Sequence, residues 1–208
     1  MGESFNLNEI ERRPAKYWNV DGLPELMMGL LWIVWGGSWL VGQSLQRGTV
    51  WNLFWMFTPA LLAFSGVAAV WATKKLKARL TFPRTGYVEW NEPTRGQRLA
   101  AAAAAIVVAS LLAAIIIKTR VHGVEQVAPL AFGVLLSLGL VVASLTQRAP
   151  HMLALAGVAL ALGLAFGALN LGWQSTNWML IGLGVATALS GSIRLGLFIR
   201  RHPLENHA

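Results

Sequence analysis

Six apolar runs, each about 20 residues long, alternate with short polar segments along the chain. A helix needs about 20 apolar residues to cross the hydrocarbon core of a bilayer, and it satisfies all of its backbone hydrogen bonds within the segment. The pattern therefore predicts six transmembrane helices, at roughly Pro24–Gln43, Trp51–Thr73, Leu99–Ile117, Val127–Leu145, Met152–Leu171 and Trp178–Ile199.

The segments outside these runs are too short to form a soluble domain. We expect residues 1–208 to form a single all-α domain, a polytopic membrane helix bundle. Residues 1–23 lack the apolar core of a cleavable signal peptide. Asn6 and Glu9 have the spacing of a capping box, which predicts a short interfacial helix in this segment.

The overall composition supports a membrane protein. Hydrophobic residues make up 55% of the chain and charged residues 12%, with a mean hydropathy of +0.54, whereas about 25% of residues are charged in a typical soluble domain. This composition excludes a disordered chain and an ordinary soluble enzyme. The chain has no cysteine, so we expect neither disulfides nor thiolate chemistry.

Basic residues are distributed unequally between the two sides of the predicted bundle. Fourteen of the 17 Lys and Arg residues lie in the two termini and in the second and fourth loops, which alternate to the same side. Because cytoplasmic segments are enriched in Lys and Arg, both termini are predicted to be cytoplasmic.

The longest loop is the cytoplasmic segment 74–98. Two short runs rich in aromatic and β-branched residues flank Pro83-Arg84-Thr85-Gly86. Pro is favoured at the second position of a type I turn and Gly at the left-handed position that follows. The sequence therefore predicts a β-hairpin-like loop within Arg79–Trp90, with Phe82–Trp90 exposed on the cytoplasmic face.

Acidic and histidine residues give little indication of catalysis. None of the nine acidic residues lies in the middle of a predicted span, although coupled transporters usually place a carboxylate there. The four His residues lie in loops or the tail, on both sides of the membrane, so we expect neither a metal site nor a cofactor. An interfacial enzyme would have to use the predicted cytoplasmic residues Asp21, Glu25, Glu89, Glu92 and His151.

Aromatic residues form a stripe along the first span. Met28, Trp32, Trp35 and Trp39 follow one another at helical spacing. As a ligand-binding surface, Trp32, Trp35 and Trp39 would suit an apolar or cationic solute. Alternatively, the stripe packs against other helices, and the indole N–H of Trp35 then needs a partner.

Basic residues cluster where the second and sixth spans meet the cytoplasm. Lys74, Lys75, Lys77 and Arg79 follow the second span, and Arg194 lies near the end of the sixth. These five residues are candidates for contact with anionic lipid headgroups. The alternatives are that the loop charges only set the topology, and that Arg194 is a snorkelling anchor or pairs with Glu25. The cluster abuts the bilayer, so we do not expect nucleic-acid binding.

Small residues recur at four-residue spacing in the last three spans, as in Gly133/Ser137, Gly163/Gly167 and Gly182/Ala186. Such rows allow helix backbones to approach closely. They fit packing within the bundle and equally fit a homo-oligomer.

Two segments carry a resemblance to known sequences. Asp21-Gly-Leu-Pro-Glu-Leu26 begins the first span, and Arg79-Leu-Thr-Phe-Pro-Arg-Thr-Gly-Tyr-Val88 lies in the long loop. Together they resemble segments of bacterial multi-pass membrane proteins of no known activity. The resemblance implies that the loop is a signature element, and it implies no catalytic residue or cofactor.

Three functions remain open on the sequence. The first is a non-enzymatic inner-membrane protein whose basic cytoplasmic face contacts lipid headgroups or a partner protein. The second is a small transporter or channel for an apolar or cationic solute, which would use the tryptophan stripe and a kink at Pro59. The third is the interfacial enzyme.

Overall fold

The computed structural model describes residues 21–85, 96, 124–147, 149–169 and 171–203, and all of the regular structure in these ranges is helical. The predicted interfacial helix before residue 21 and the third span, Leu99–Ile117, lie outside the described residues. The described helices are α1 (Leu23–Ser44), α2 (Thr49–Leu80), α3 (Phe82–Thr85), α4 (Val124–Gln147), α5 (His151–Leu169) and α6 (Gln174–Arg201).

Five of these helices, α1, α2, α4, α5 and α6, are long and apolar enough to cross a membrane. Four of them coincide within four residues with predicted spans, and α2 covers the predicted span Trp51–Thr73 but continues to Leu80. This agreement confirms a multi-pass membrane protein. Large apolar side chains are exposed along them, including Phe57, Phe64 and Val67 of α2. Such a surface is suited to lipid tails.

The predicted β-hairpin is wrong in its first arm. Arg79 and Leu80 end α2, and Phe82–Thr85 form the short helix α3. Pro83 lies in the first turn of α3, where a residue without an N–H is well tolerated. The fixed φ of Pro suits a helix start and a type I turn equally well, so the turn-like sequence did not distinguish them. The second arm of the hairpin lies outside the described residues.

Helices α1 and α6 form the closest pair in the bundle. They run antiparallel, and three contacts repeat every seven residues along both: Gly22 with Gly191, Gly29 with Gly184, and Gly36 with Asn177. A Cβ atom at Gly36 would lie 2.7 Å from the carbonyl oxygen of Asn177. We call this row of contacts the glycine line. A side chain would not fit at its glycines, so the two backbones are in direct contact.

The other helices are arranged on either side of this pair. Helix α2 contacts α1, and α5 contacts α6. Helices α4 and α5 form an antiparallel hairpin whose closest point joins Gly133 to Gly163, where an added Cβ would lie 2.8 Å from the opposite Cα. Trp32, Ala159 and Leu183 form a buried core where α1, α5 and α6 meet.

The helix directions bring the start of α1 and the ends of α2 and α6 to one end of the bundle, together with the loop that joins α4 to α5. We call this the basic end, and it is marked by Asp21, Lys77, His151, Arg194 and Arg201. Helix α2 has 32 residues and is about 48 Å long at 1.5 Å per residue. Since the hydrocarbon core is about 30 Å thick, α2 is longer than one crossing needs, and its basic last turns lie at the basic end.

Candidate functional site: a buried ion-pair cluster

Two carboxylates lie one turn apart at the start of α1, and both are buried. Asp21 has no exposed surface and Glu25 is 4% exposed. Asp21 is held in place because its Oδ1 accepts a hydrogen bond from the N–H of Leu23 at 3.1 Å, which satisfies one of the free donors at the start of the helix. Gly22, between Asp21 and the helix, has a φ of 71°, a conformation that favours glycine.

Asp21 connects α1 to the end of α2. Its Oδ2 accepts hydrogen bonds from the Lys77 ammonium at 2.5 Å and from the Thr81 hydroxyl at 2.7 Å. Lys77 is 1% exposed. Lys77 and Thr81 are four residues apart, so the single carboxylate oxygen binds one face of the last turn of α2.

Glu25 connects α1 to α5 and α6. Its Oε1 lies 2.7 Å from Nη1 of Arg194 and 2.6 Å from Nε2 of His151. Arg194 Nη1 and His151 Nε2 also contact each other. Helices α1, α5 and α6 therefore meet at one carboxylate oxygen.

We call Asp21, Glu25, Lys77, His151 and Arg194 the ion-pair cluster. Each carboxylate has one Lys or Arg partner, and both pairs lie largely out of water. Removing one partner of such a pair leaves a buried charge and typically costs about 3–5 kcal/mol. The cluster thus connects α1 to α2, α5 and α6. Within the described residues, Oε2 of Glu25 is buried without a hydrogen-bond partner.

Further basic side chains surround the cluster at the protein surface. We call them the basic rim. They are exposed and lie in the last turns of α2 and α6, on either side of the start of α1: Lys74, Lys75, Arg79, Arg200 and Arg201. The Lys75 ammonium lies 4.5 Å from the ring centroid of Trp71, an arrangement that places an apolar ring beside a cation.

The lipid-contact residues predicted from the sequence therefore separate into two groups. Lys74, Lys75 and Arg79 are exposed, whereas Lys77 is buried against Asp21 and has no surface to offer to a headgroup. Arg194 pairs with Glu25, which was one of its predicted alternatives, and a quarter of its side chain remains exposed.

The tryptophan stripe does not form a single surface. Trp32 is in the buried core. The indole N–H of Trp35 donates a hydrogen bond to the Ser65 hydroxyl at 3.0 Å, which supplies the partner that the sequence analysis required. Trp39 contacts Trp55 edge-to-face, with centroids 5.0 Å apart. The three side chains thus serve contacts between helices, and binding of a solute by them remains a prediction.

The candidate acid–base residues are brought together only in part. His151 and Glu25 meet, while Glu89 and Glu92 lie outside the described residues. In the described part of the chain, no group of three His, Asp or Glu residues has the geometry of a metal site. Sequence reasoning missed the pairing of Asp21 with Lys77 and of His151 with Glu25. One available signal was the four-residue spacing of Asp21 with Glu25 and of Lys77 with Thr81.

Comparisons with protein-family models, with curated proteins and with solved structures found no match to this chain. The resemblance of Asp21–Leu26 and Arg79–Val88 to bacterial membrane proteins therefore remains a prediction.

Proposed function

We propose that this chain is a non-enzymatic protein of the bacterial inner membrane whose basic cytoplasmic end binds anionic lipid headgroups. The observation that carries the proposal is the basic rim. Its five exposed cations lie at one end of the bundle, in the last turns of α2 and α6. Each Lys or Arg near an anionic leaflet contributes about 1 kcal/mol of attraction.

The charge distribution gives this end its proposed orientation. Fourteen of the 17 Lys and Arg residues belong to segments that alternate to the side of the basic rim, and the side rich in Lys and Arg is the cytoplasmic one. Anionic lipids are also concentrated at the cytoplasmic surface. The Lys and Arg distribution and the location of anionic lipids therefore both favour a basic rim that faces an anionic membrane surface.

The helix directions support a sixth crossing. Helix α2 ends at the basic end, where Lys77 binds Asp21. Helix α4 starts at the opposite end, because it runs antiparallel to α5, and α5 starts at His151 beside Glu25. The chain must therefore change ends between α2 and α4. The predicted span Leu99–Ile117 is the apolar run between them. Six crossings would put both termini on the same side, and the charge distribution indicates that this side is the cytoplasm.

Thermal unfolding in lipid nanodiscs tests the proposal. Wild type should be more stable in nanodiscs that contain phosphatidylglycerol than in nanodiscs of phosphatidylcholine alone. The variant K74Q/K75Q/R79Q should lose much of this difference, because three rim charges are removed. The control is Arg47→Gln, which removes an exposed charge at the opposite end and should leave the difference unchanged. A wild type whose stability is the same in both lipids would refute the proposal.

A further inference from the structure

The last two turns of α6 carry an open groove that combines cations with an apolar floor. Its volume is about 240 Å³, and the described residues that line it are Arg194, Leu197, Phe198, Arg201 and His202. These five residues lie at helical spacing on one face, so the groove runs along the helix. Arg200 is exposed on the same turn and does not line the groove.

The polar side chains of the groove are suited to an oxyanion. Arginine presents several N–H donors in a planar fork that matches phosphate geometry. The His202 ring donates from Nδ1 to the carbonyl oxygen of Phe198 at 3.1 Å, and its ring centroid is 4.6 Å from that of Phe198. These two contacts orient the imidazole and leave Nε2 as the ring nitrogen that can meet a ligand.

The apolar side chains indicate that the ligand has a hydrocarbon part. Leu197 is exposed and Phe198 is buried, and both line the groove between the Arg194 and Arg201 positions. An apolar floor disfavours the binding of a free phosphate ion, because the ion loses hydration there. A phospholipid places its phosphate beside the glycerol and the first acyl carbons, which is the sequence of polar and apolar surface that the groove offers.

We propose that the α6 groove is a specific site for the phosphate group of an anionic membrane lipid, with Arg201 and His202 as its binding residues and Leu197 as its apolar contact. The proposal deepens the proposed function, because it assigns one localised site within an otherwise diffuse basic surface. Arg194 lines the same groove and binds Glu25, so the bound lipid lies directly beside the ion-pair cluster.

Native mass spectrometry of the full chain in nanodiscs with mixed phosphatidylglycerol and phosphatidylcholine tests the site. R201Q/H202Q should retain phosphatidylglycerol about tenfold less well than wild type, and Leu197→Asn should also weaken retention. Arg200→Gln is the matched comparison, because it removes the adjacent rim charge outside the groove. It should lower retention clearly less than R201Q/H202Q, since it takes away only the diffuse attraction of one exposed charge, and Arg47→Gln at the opposite end should leave retention unchanged.

Two outcomes would overturn the site. Equal losses in R200Q and R201Q/H202Q would mean that lipid is attracted diffusely, in which case the proposed function stands and the specific site does not. A second experiment adds inorganic phosphate to the protein in uncharged detergent and measures its thermal stability. Stabilisation by millimolar phosphate that needs Arg201 and His202 but is unaffected by Leu197→Asn would identify a free phosphate site and contradict the lipid assignment.

Discussion

Gly29 of α1 and Gly184 of α6 face each other with no room for a side chain between them. A Cβ atom at Gly29 would lie 2.5 Å from the carbonyl oxygen of Gly184, and one at Gly184 would lie 2.7 Å from that of Gly29. The same contact recurs seven residues away in both directions. In a membrane, close backbone contact of this kind is a main source of attraction between helices.

Gly29→Leu should therefore destabilise the bundle. The added side chain has to separate α1 from α6, and overpacking of this kind typically costs about 1–3 kcal/mol. Unfolding in detergent measures the change. Gly37→Leu is the control, because a Cβ at Gly37 meets nothing within 4 Å. Equal stability of the two variants would contradict the role assigned to the glycine line.

Lys77→Met should be strongly destabilising, because it leaves the buried Asp21 carboxylate without its cation. The expected loss is about 3–5 kcal/mol in the free energy of unfolding. Adding Asp21→Asn should recover much of that loss, since the double variant has no uncompensated charge. Arg79→Gln, which removes an exposed charge from the same helix, should change stability by less than about 0.5 kcal/mol. If K77M and R79Q were equally mild, the buried pair would not be a stabilising contact.

Glu25 and Arg194 should be energetically coupled. Residues that share an ion pair usually show a coupling energy of about 0.5–3 kcal/mol in a double-mutant cycle. The cycle uses Glu25→Gln and Arg194→Gln, with unfolding free energies of the two single variants and the double variant. A second cycle, Glu25→Gln with Arg200→Gln, should be additive, because Arg200 belongs to the exposed rim. Additivity in the first cycle would show that the Glu25–Arg194 contact contributes nothing.

Trp35→Phe should cost about 1 kcal/mol, the typical net contribution of one hydrogen bond. The substitution removes the indole N–H that binds the Ser65 hydroxyl and leaves an aromatic ring in place. In a Ser65→Ala background the same substitution should cost clearly less. An undiminished cost in that background would assign the effect to the shape of the indole and not to its hydrogen bond.

The spans could be predicted from the sequence because the bilayer imposes a length and a polarity on each helix. Five predicted spans agree with α1, α2, α4, α5 and α6. The extension of α2 to Leu80 could not be predicted in this way. It depends on Asp21, which is 56 residues from Lys77 in the chain and binds Lys77 and Thr81 on one helical face.

The candidate site was less predictable, since its contacts join remote segments. The ion pair between Arg194 and Glu25 could be predicted as one alternative for Arg194, because both residues were expected at the same depth in the membrane. His151 and Glu25 are 126 residues apart, and no local pattern connects them. The seven-residue spacing of Gly22, Gly29 and Gly36 is present in the sequence, but a spacing of seven is less typical of close helix packing than the four-residue spacing of small residues.

The proposed function requires the basic end to face the cytoplasm. The chain has no natural cysteine, so single cysteines can be placed at exposed positions at each end and labelled in spheroplasts with a membrane-impermeant maleimide. Gln46→Cys and Gln174→Cys, at the opposite end, should react in intact spheroplasts, whereas Arg79→Cys and Pro203→Cys should react only after lysis. Labelling of Arg79→Cys and Pro203→Cys in intact spheroplasts would place the basic end outside the cell and contradict the proposed function.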